Sequence, residues 1–111
     1  GTGAPMRELV DADELADACG FLMRNYSDGG LINAGSSQEI SIKDLTEMMA
    51  DVTGYTGSIT WDTTKPDGTP RKMMENAKLH ALGWRPKTTI RQGLEKMYAW
   101  FVQTGGSRTA A

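Results

Sequence analysis

Two short stretches, Leu31-Ile32-Asn33-Ala34 and Ser58-Ile59-Thr60-Trp61, read as strands, and they constrain this chain more than anything else. Two strands of that length cannot make a self-sufficient sheet in water. The other apolar residues recur with a helical period, so helices must supply most of the packing. The expected class is α/β, with about four helices and two or three short strands. One face of such a sheet is left for a partner.

The helices are readable from their ends. Asp11 is an N-cap with Glu14 at capping-box spacing, and Leu15, Cys19, Leu22 and Tyr26 follow on one face. Cys19 on that stripe reads as packed rather than reactive. Ser27-Asp28-Gly29-Gly30 ends this helix. Ser41 caps a second, with Asp44 in its first turn, an apolar face of Ile42, Leu45, Met49 and Val52, and Gly54 as its stop. Asn76 opens a short third helix with Leu79 and Leu82 inward and Gly83 after it. Trp84-Arg85-Pro86 reads as a turn. Thr89 with Gln92 caps a fourth helix, on which Ile90, Leu94, Met97 and Phe101 share a face. The predicted order is helix, strand, helix, strand, loop, helix, helix, preceded by a loop with a short extended piece. Residues 1–104 form one lobe, and 105–111 a frayed tail.

With 111 residues this is one domain at most. Met73, Met74, Trp61, Trp84 and Trp100 add apolar surface that so small a domain struggles to bury alone. Twelve basic against fourteen acidic residues leave a net charge of −2, which argues against a general nucleic-acid or membrane-surface binder. Any anion site must be a local patch. The single cysteine, Cys19, excludes an internal disulfide and fits a reducing compartment, with a cytoplasmic location expected. The chain opens on Gly1 rather than methionine, which reads as a piece of something longer.

The local patch is Lys65-Pro66-Asp67-Gly68-Thr69-Pro70-Arg71-Lys72. Its prolines and glycine make the path stiff, so little ordering entropy is lost when an anion binds its cations. Arg7 is the second restrained cation, after Gly3-Ala4-Pro5-Met6, and a guanidinium matches phosphate with two parallel hydrogen bonds. Together they suit a two-sided clamp on a diphosphate. Catalytic residues are not evident. Gly1-Thr2-Gly3 has neither the third glycine nor the preceding strand of a dinucleotide loop. His80, the sole histidine, lacks a second histidine or a cysteine placed for a metal, and no nucleophile triad can be assembled. The acidic residues at helix starts are explained by capping.

Four motifs resemble one family: Gly1-Thr2-Gly3-Ala4-Pro5-Met6-Arg7-Glu8, Asn33-Ala34-Gly35, the Lys65–Lys72 octamer, and Leu79-His80-Ala81-Leu82-Gly83-Trp84. They are similar to the C-terminal substrate domain of the GDP-L-fucose synthase family, extended short-chain dehydrogenase/reductases that epimerise and then reduce GDP-4-keto-6-deoxy-mannose with NADPH. The first motif is shared with other nucleotide-sugar epimerases and dehydratases, whereas the octamer is much more specific. The resemblance implies that Arg7 and Lys72 contact the substrate diphosphate, and that Lys65, Asp67, Gly68, Thr69, Pro70 and Arg71 shape the substrate loop. It also implies that NADP, the tyrosine–lysine pair and the serine belong to a Rossmann lobe upstream of this chain. This piece is then expected to bind a GDP-sugar, to hold no cofactor itself, to be inactive alone, and to pair with that lobe or as a homodimer. The alternatives are a free-standing nucleotide-sugar-binding module, a non-catalytic interaction remnant, or a lobe of another nucleotide-sugar epimerase or dehydratase. After Arg7-Glu8 the family reads Phe-Leu-His-Val-Asp-Asp, where this chain has Leu9-Val10-Asp11-Ala12-Asp13-Glu14.

Overall fold

The structure is a computed structural model, described for residues 1–106. Its elements are β1 (Met6–Glu8), α1 (Ala12–Asn25), β2 (Glu39–Ser41), α2 (Ile42–Thr53), β3 (Arg71–Lys72), α3 (Ala77–Ala81) and α4 (Ile90–Thr104). The α/β class with four helices stands, but the strands lie elsewhere than expected. Most of the frayed tail lies outside the described residues.

The helices begin where their side chains close the open N–H groups. The Asp11 carboxylate accepts from the amides of Asp13 and Glu14, Ser41 Oγ accepts from Asp44 N at 3.0 Å, and Thr89 and Gln92 form a reciprocal capping box. Gly54 ends α2 in the left-handed conformation. Glu14 departs from expectation. Its carboxylate accepts instead from Lys87 N at 3.2 Å and from the Thr88 hydroxyl, tying α1 to the approach of α4.

The sheet has the order β2-β1-β3, with β1 antiparallel to β2 and parallel to β3. The central strand is therefore the short extended piece that precedes the first helix. Leu31–Ala34 is not a strand. It keeps the alternation of one, since Ile32 and Ala34 pack against the core while Leu31 is 98 % exposed. What it lacks, among the described residues, is a neighbouring strand to complete a ladder. Ser58–Trp61 is unpaired for the same reason, and Ser58, Ile59 and Thr60 are exposed. A strand exists only where a second backbone meets its N–H and C=O groups.

The core is small. Ala18 of α1, Leu79 of α3 and Trp84 form one buried cluster, with Phe21, Leu22, Ile32 and Ala34 packed against it; Ile40 and Leu94 are buried apart. Trp84, expected as surplus apolar surface and part of a turn, is buried after the Leu82-Gly83 turn, its indole N–H donating to Asp17 Oδ2 at 2.9 Å. The inward face of α1 is rotated from the predicted stripe. Ala18 is buried, whereas Cys19 and Leu15 are exposed, so Cys19 is not packed. Leu82, Met97 and Phe101 are likewise exposed, the last two at 54 %. The Cα radius of gyration is 16.7 Å, against about 13 Å for a compact chain of this length. These helices pack on one another over a limited area and leave apolar faces open.

Candidate anion site on the sheet

Register decides which side chains meet. Met6 pairs with Ser41 and Arg71, Arg7 with Ile40 and Lys72, and Glu8 with Glu39. Because successive side chains of a strand point to opposite faces, Met6, Glu8, Glu39, Ser41 and Arg71 share one face. Arg7, Ile40 and Lys72 share the other. Arg7 and Lys72, far apart in sequence, are thus direct neighbours on parallel strands about 4.8 Å apart. Two like charges in that position repel. Among the described residues neither carries an ion pair with a carboxylate. An anion between them would turn that repulsion into attraction.

The Arg7 guanidinium is fixed by carbonyls, not acids. Its Nη1 donates to Met6 O at 2.6 Å and to Thr69 O at 2.8 Å, which leaves the other guanidinium N–H groups for a ligand. Gly3 gives the approach to β1 its shape. Its φ of +81° suits glycine, and a Cβ there would lie 2.7 Å from the Trp61 indole. The Trp61 ring closes over this glycine, and a cavity of about 250 Å³ lies beside it, lined by Arg7, Ile42, Trp61, Pro66, Asp67 and Gly68 among others.

The octamer divides along its length. Asp67 accepts from Thr2 N and Thr2 Oγ1, both at 2.6 Å, and so fastens the loop to the chain before β1. The Thr2 hydroxyl, with the Thr2 amide, holds the Asp67 carboxyl below its ordinary range. Pro70 O accepts from Met6 N at 2.8 Å, which begins the β1–β3 pairing. Lys65 and Lys72 are exposed, and neither is among the residues lining the cavity beside Arg7. Arg71 points away from Arg7, to the opposite face. There its Nε donates to Glu39 Oε1 at 2.6 Å and its Nη2 to Glu39 Oε2 at 3.0 Å. Each partner stabilises the other's charge: Glu39 is lowered, Arg71 raised.

Sequence reasoning missed Glu8 and Glu39. Glu8 accepts from Ser37 N and Met74 N, both at 2.7 Å, and from Asn76 Nδ2 at 2.9 Å, joining β1 to the segments on both sides. The nearest signal for Glu39 was the alternation Gln38-Glu39-Ile40-Ser41, which is strand-like but short.

Glu39 and Asp67 have folded-state pKa values below their ordinary 4.5 and 3.8, and Asp11 is lowered too, chiefly by Lys96. A depressed carboxylate contributes stability above its unfolded pKa and loses it as pH falls through the folded value. Urea midpoints should therefore be flat above about pH 5 and decline below about pH 4. Asp67→Asn should flatten part of that decline; an unchanged profile would remove Asp67 from the explanation.

The N-termini of α1, α2 and α4 are closed by the side chains of Asp11, Ser41 and Thr89, so none of the three presents the open N–H groups on which a glycine-rich dinucleotide loop seats a pyrophosphate. Among the described residues no group of three or more His, Cys, Asp or Glu is placed to hold a metal, and no helix is long and apolar enough to cross a membrane.

No family model matches the chain. Individual proteins do. It is 50% identical over 103 residues to GDP-L-fucose synthase 1 of Arabidopsis thaliana, covering 93% of this chain and 32% of that protein. The chain is a homologue of the GDP-L-fucose synthases. It is also 45% identical over 102 residues to the GDP-L-fucose synthase of Sinorhizobium fredii, covering 92% of this chain and 32% of that one. A solved GDP-L-fucose synthetase from Naegleria fowleri bound to NADP superposes with a TM-score of 0.90 at 27% identity, covering 96% of this chain and 34% of the other. The chain spans about a third of the length of these relatives, and it matches their C-terminal part.

Proposed function

We propose that this chain is the GDP-sugar-binding portion of a reductase/epimerase of the GDP-L-fucose synthase kind, with Arg7 and Lys72 holding the diphosphate. The pairing of Arg7 with Lys72 on one sheet face, without a carboxylate partner for either, carries the reading. Two cations at strand spacing match an anion that bears charge on two adjacent phosphates. Asp67 fastens the loop, while Gly68, Thr69 and Pro70 set its path past the Arg7 guanidinium. Lys65 supplies more distant positive charge, and Arg71 supports the loop from the other face. GDP-4-keto-6-deoxy-mannose is the substrate expected by likeness to the synthases. NADP and the reacting residues belong to the part of the relatives that this chain does not span, so the chain alone should oxidise no NADPH with that sugar. The unpaired thiol Cys19 suits the cytoplasm.

Titration calorimetry with GDP tests the reading. Binding tighter than about 100 μM supports it. Lys72→Ala or Arg7→Ala should weaken binding about tenfold or more, the usual effect of losing a charge-assisted hydrogen bond. Unchanged affinity in both variants would remove the clamp.

The open apolar end of α4, with Trp100, Phe101 and Val102 exposed, favours a second reading as an interaction surface. Concentration-dependent dimers by light scattering, with no affinity for GDP, would support it over the first.

A further inference from the structure

Lys72 sits in the shortest strand of the sheet. β3 has two residues, both exposed, and lies on the edge beside β1. An edge strand this short has few ladder bonds to set its register. A slip of one residue would carry Lys72 to the opposite face, away from Arg7. Outside the ladder, Thr69 O accepts from Arg7 Nη1 and Met74 N donates to Glu8, and the Arg71 side chain adds a third hold.

Arg71 supplies the handle and Glu39 the anchor. Arg71 pairs with Met6, Glu39 pairs with Glu8, and Met6 and Glu8 share a face, so the Arg71 side chain crosses over β1 to reach β2. The contact is two-pronged, at 2.6 and 3.0 Å, the geometry that fixes a guanidinium in both position and plane. The Glu39 side chain is 18 % exposed against 64 % for Arg71, so the anchor is the better packed partner. Glu8, the other carboxylate on that face, is already taken by Ser37 N, Met74 N and Asn76 Nδ2, which leaves Glu39 for Arg71.

We propose that Glu39 is a positioning residue for the diphosphate site. By holding Arg71 on one face of the sheet it sets Lys72 beside Arg7 on the other. The inference rests on the reading of Arg7 and Lys72 as phosphate contacts. It adds a residue that touches no ligand and acts through strand register.

A double-mutant cycle with GDP as the probe tests it on the full chain. Glu39→Ala should weaken GDP binding about as much as Lys72→Ala, roughly tenfold. The double variant should be no weaker than Lys72→Ala alone, because both changes remove one contact. Effects that multiply, or full affinity in Glu39→Ala, overturn the proposal. If Lys72→Ala itself binds GDP like the parent chain, the underlying reading has failed, which is a different result. Where Glu39→Ala does not fold, the swapped pair Glu39→Arg with Arg71→Glu should regain binding; a folded swap that stays weak counts against positioning. Backbone NOEs between Arg7 and Lys72 give a readout free of any ligand. Their loss in Glu39→Ala supports the proposal, and their persistence overturns it.

Discussion

Leu79→Ala should lower the unfolding free energy by about 3–5 kcal/mol, the upper part of the range for truncating a buried leucine. Leu79 is fully buried, in contact with the cluster of Ala18 and Trp84 and the flanking Phe21, Leu22, Ile32 and Ala34. Trp84 is large, and its indole N–H is held by Asp17, so it cannot easily move into the space left behind. The cavity term is then kept nearly in full. Domains are stable by about 5–15 kcal/mol, so at the lower end of that range this one change removes most of the stability. Urea denaturation followed by circular dichroism measures it. A loss below about 1 kcal/mol would mean that the Ala18–Leu79–Trp84 cluster is not the stabilising core, since truncated core leucines cost more than that.

Gly3→Ala should cost about 2–5 kcal/mol, from two additive sources. A left-handed backbone disfavours an L side chain by about 1–2 kcal/mol, and Gly3 has a φ of +81°. The added methyl would also lie 2.7–3.0 Å from three atoms of the rigid Trp61 ring, and such crowding costs about 1–3 kcal/mol. The ring must then move, and with it the wall of the cavity beside Arg7. Weaker GDP binding should accompany the loss of stability. A destabilised variant with full affinity for GDP would separate the Trp61 wall from the anion site. Stability within about 0.5 kcal/mol of the parent, the range of ordinary surface changes, would refute the crowding argument itself.

The candidate site was legible in part. Residue type and stiffness pointed to Arg7 and to the Lys65–Lys72 octamer, because proline and glycine beside cations carry their meaning locally. That Arg7 and Lys72 are register partners was not legible, since parallel pairing joins residues remote in sequence. The same holds for the division of the octamer, with Arg71 turned to Glu39 on one face and Lys72 beside Arg7 on the other.

Asp11, Ser41 and the Thr89–Gln92 pair by themselves determined where three helices begin. Helical hydrogen bonds and caps join residues within four positions, so the local pattern contains both partners. Only the tertiary structure decided the strands. Leu31–Ala34 alternates correctly and still forms no strand, while Arg71–Lys72, inside a proline- and glycine-rich loop, does. It also decided the rotation of α1, which buries Ala18 and exposes Cys19. In each case the deciding contact comes from a distant segment, and a periodic pattern names a face without naming what covers it.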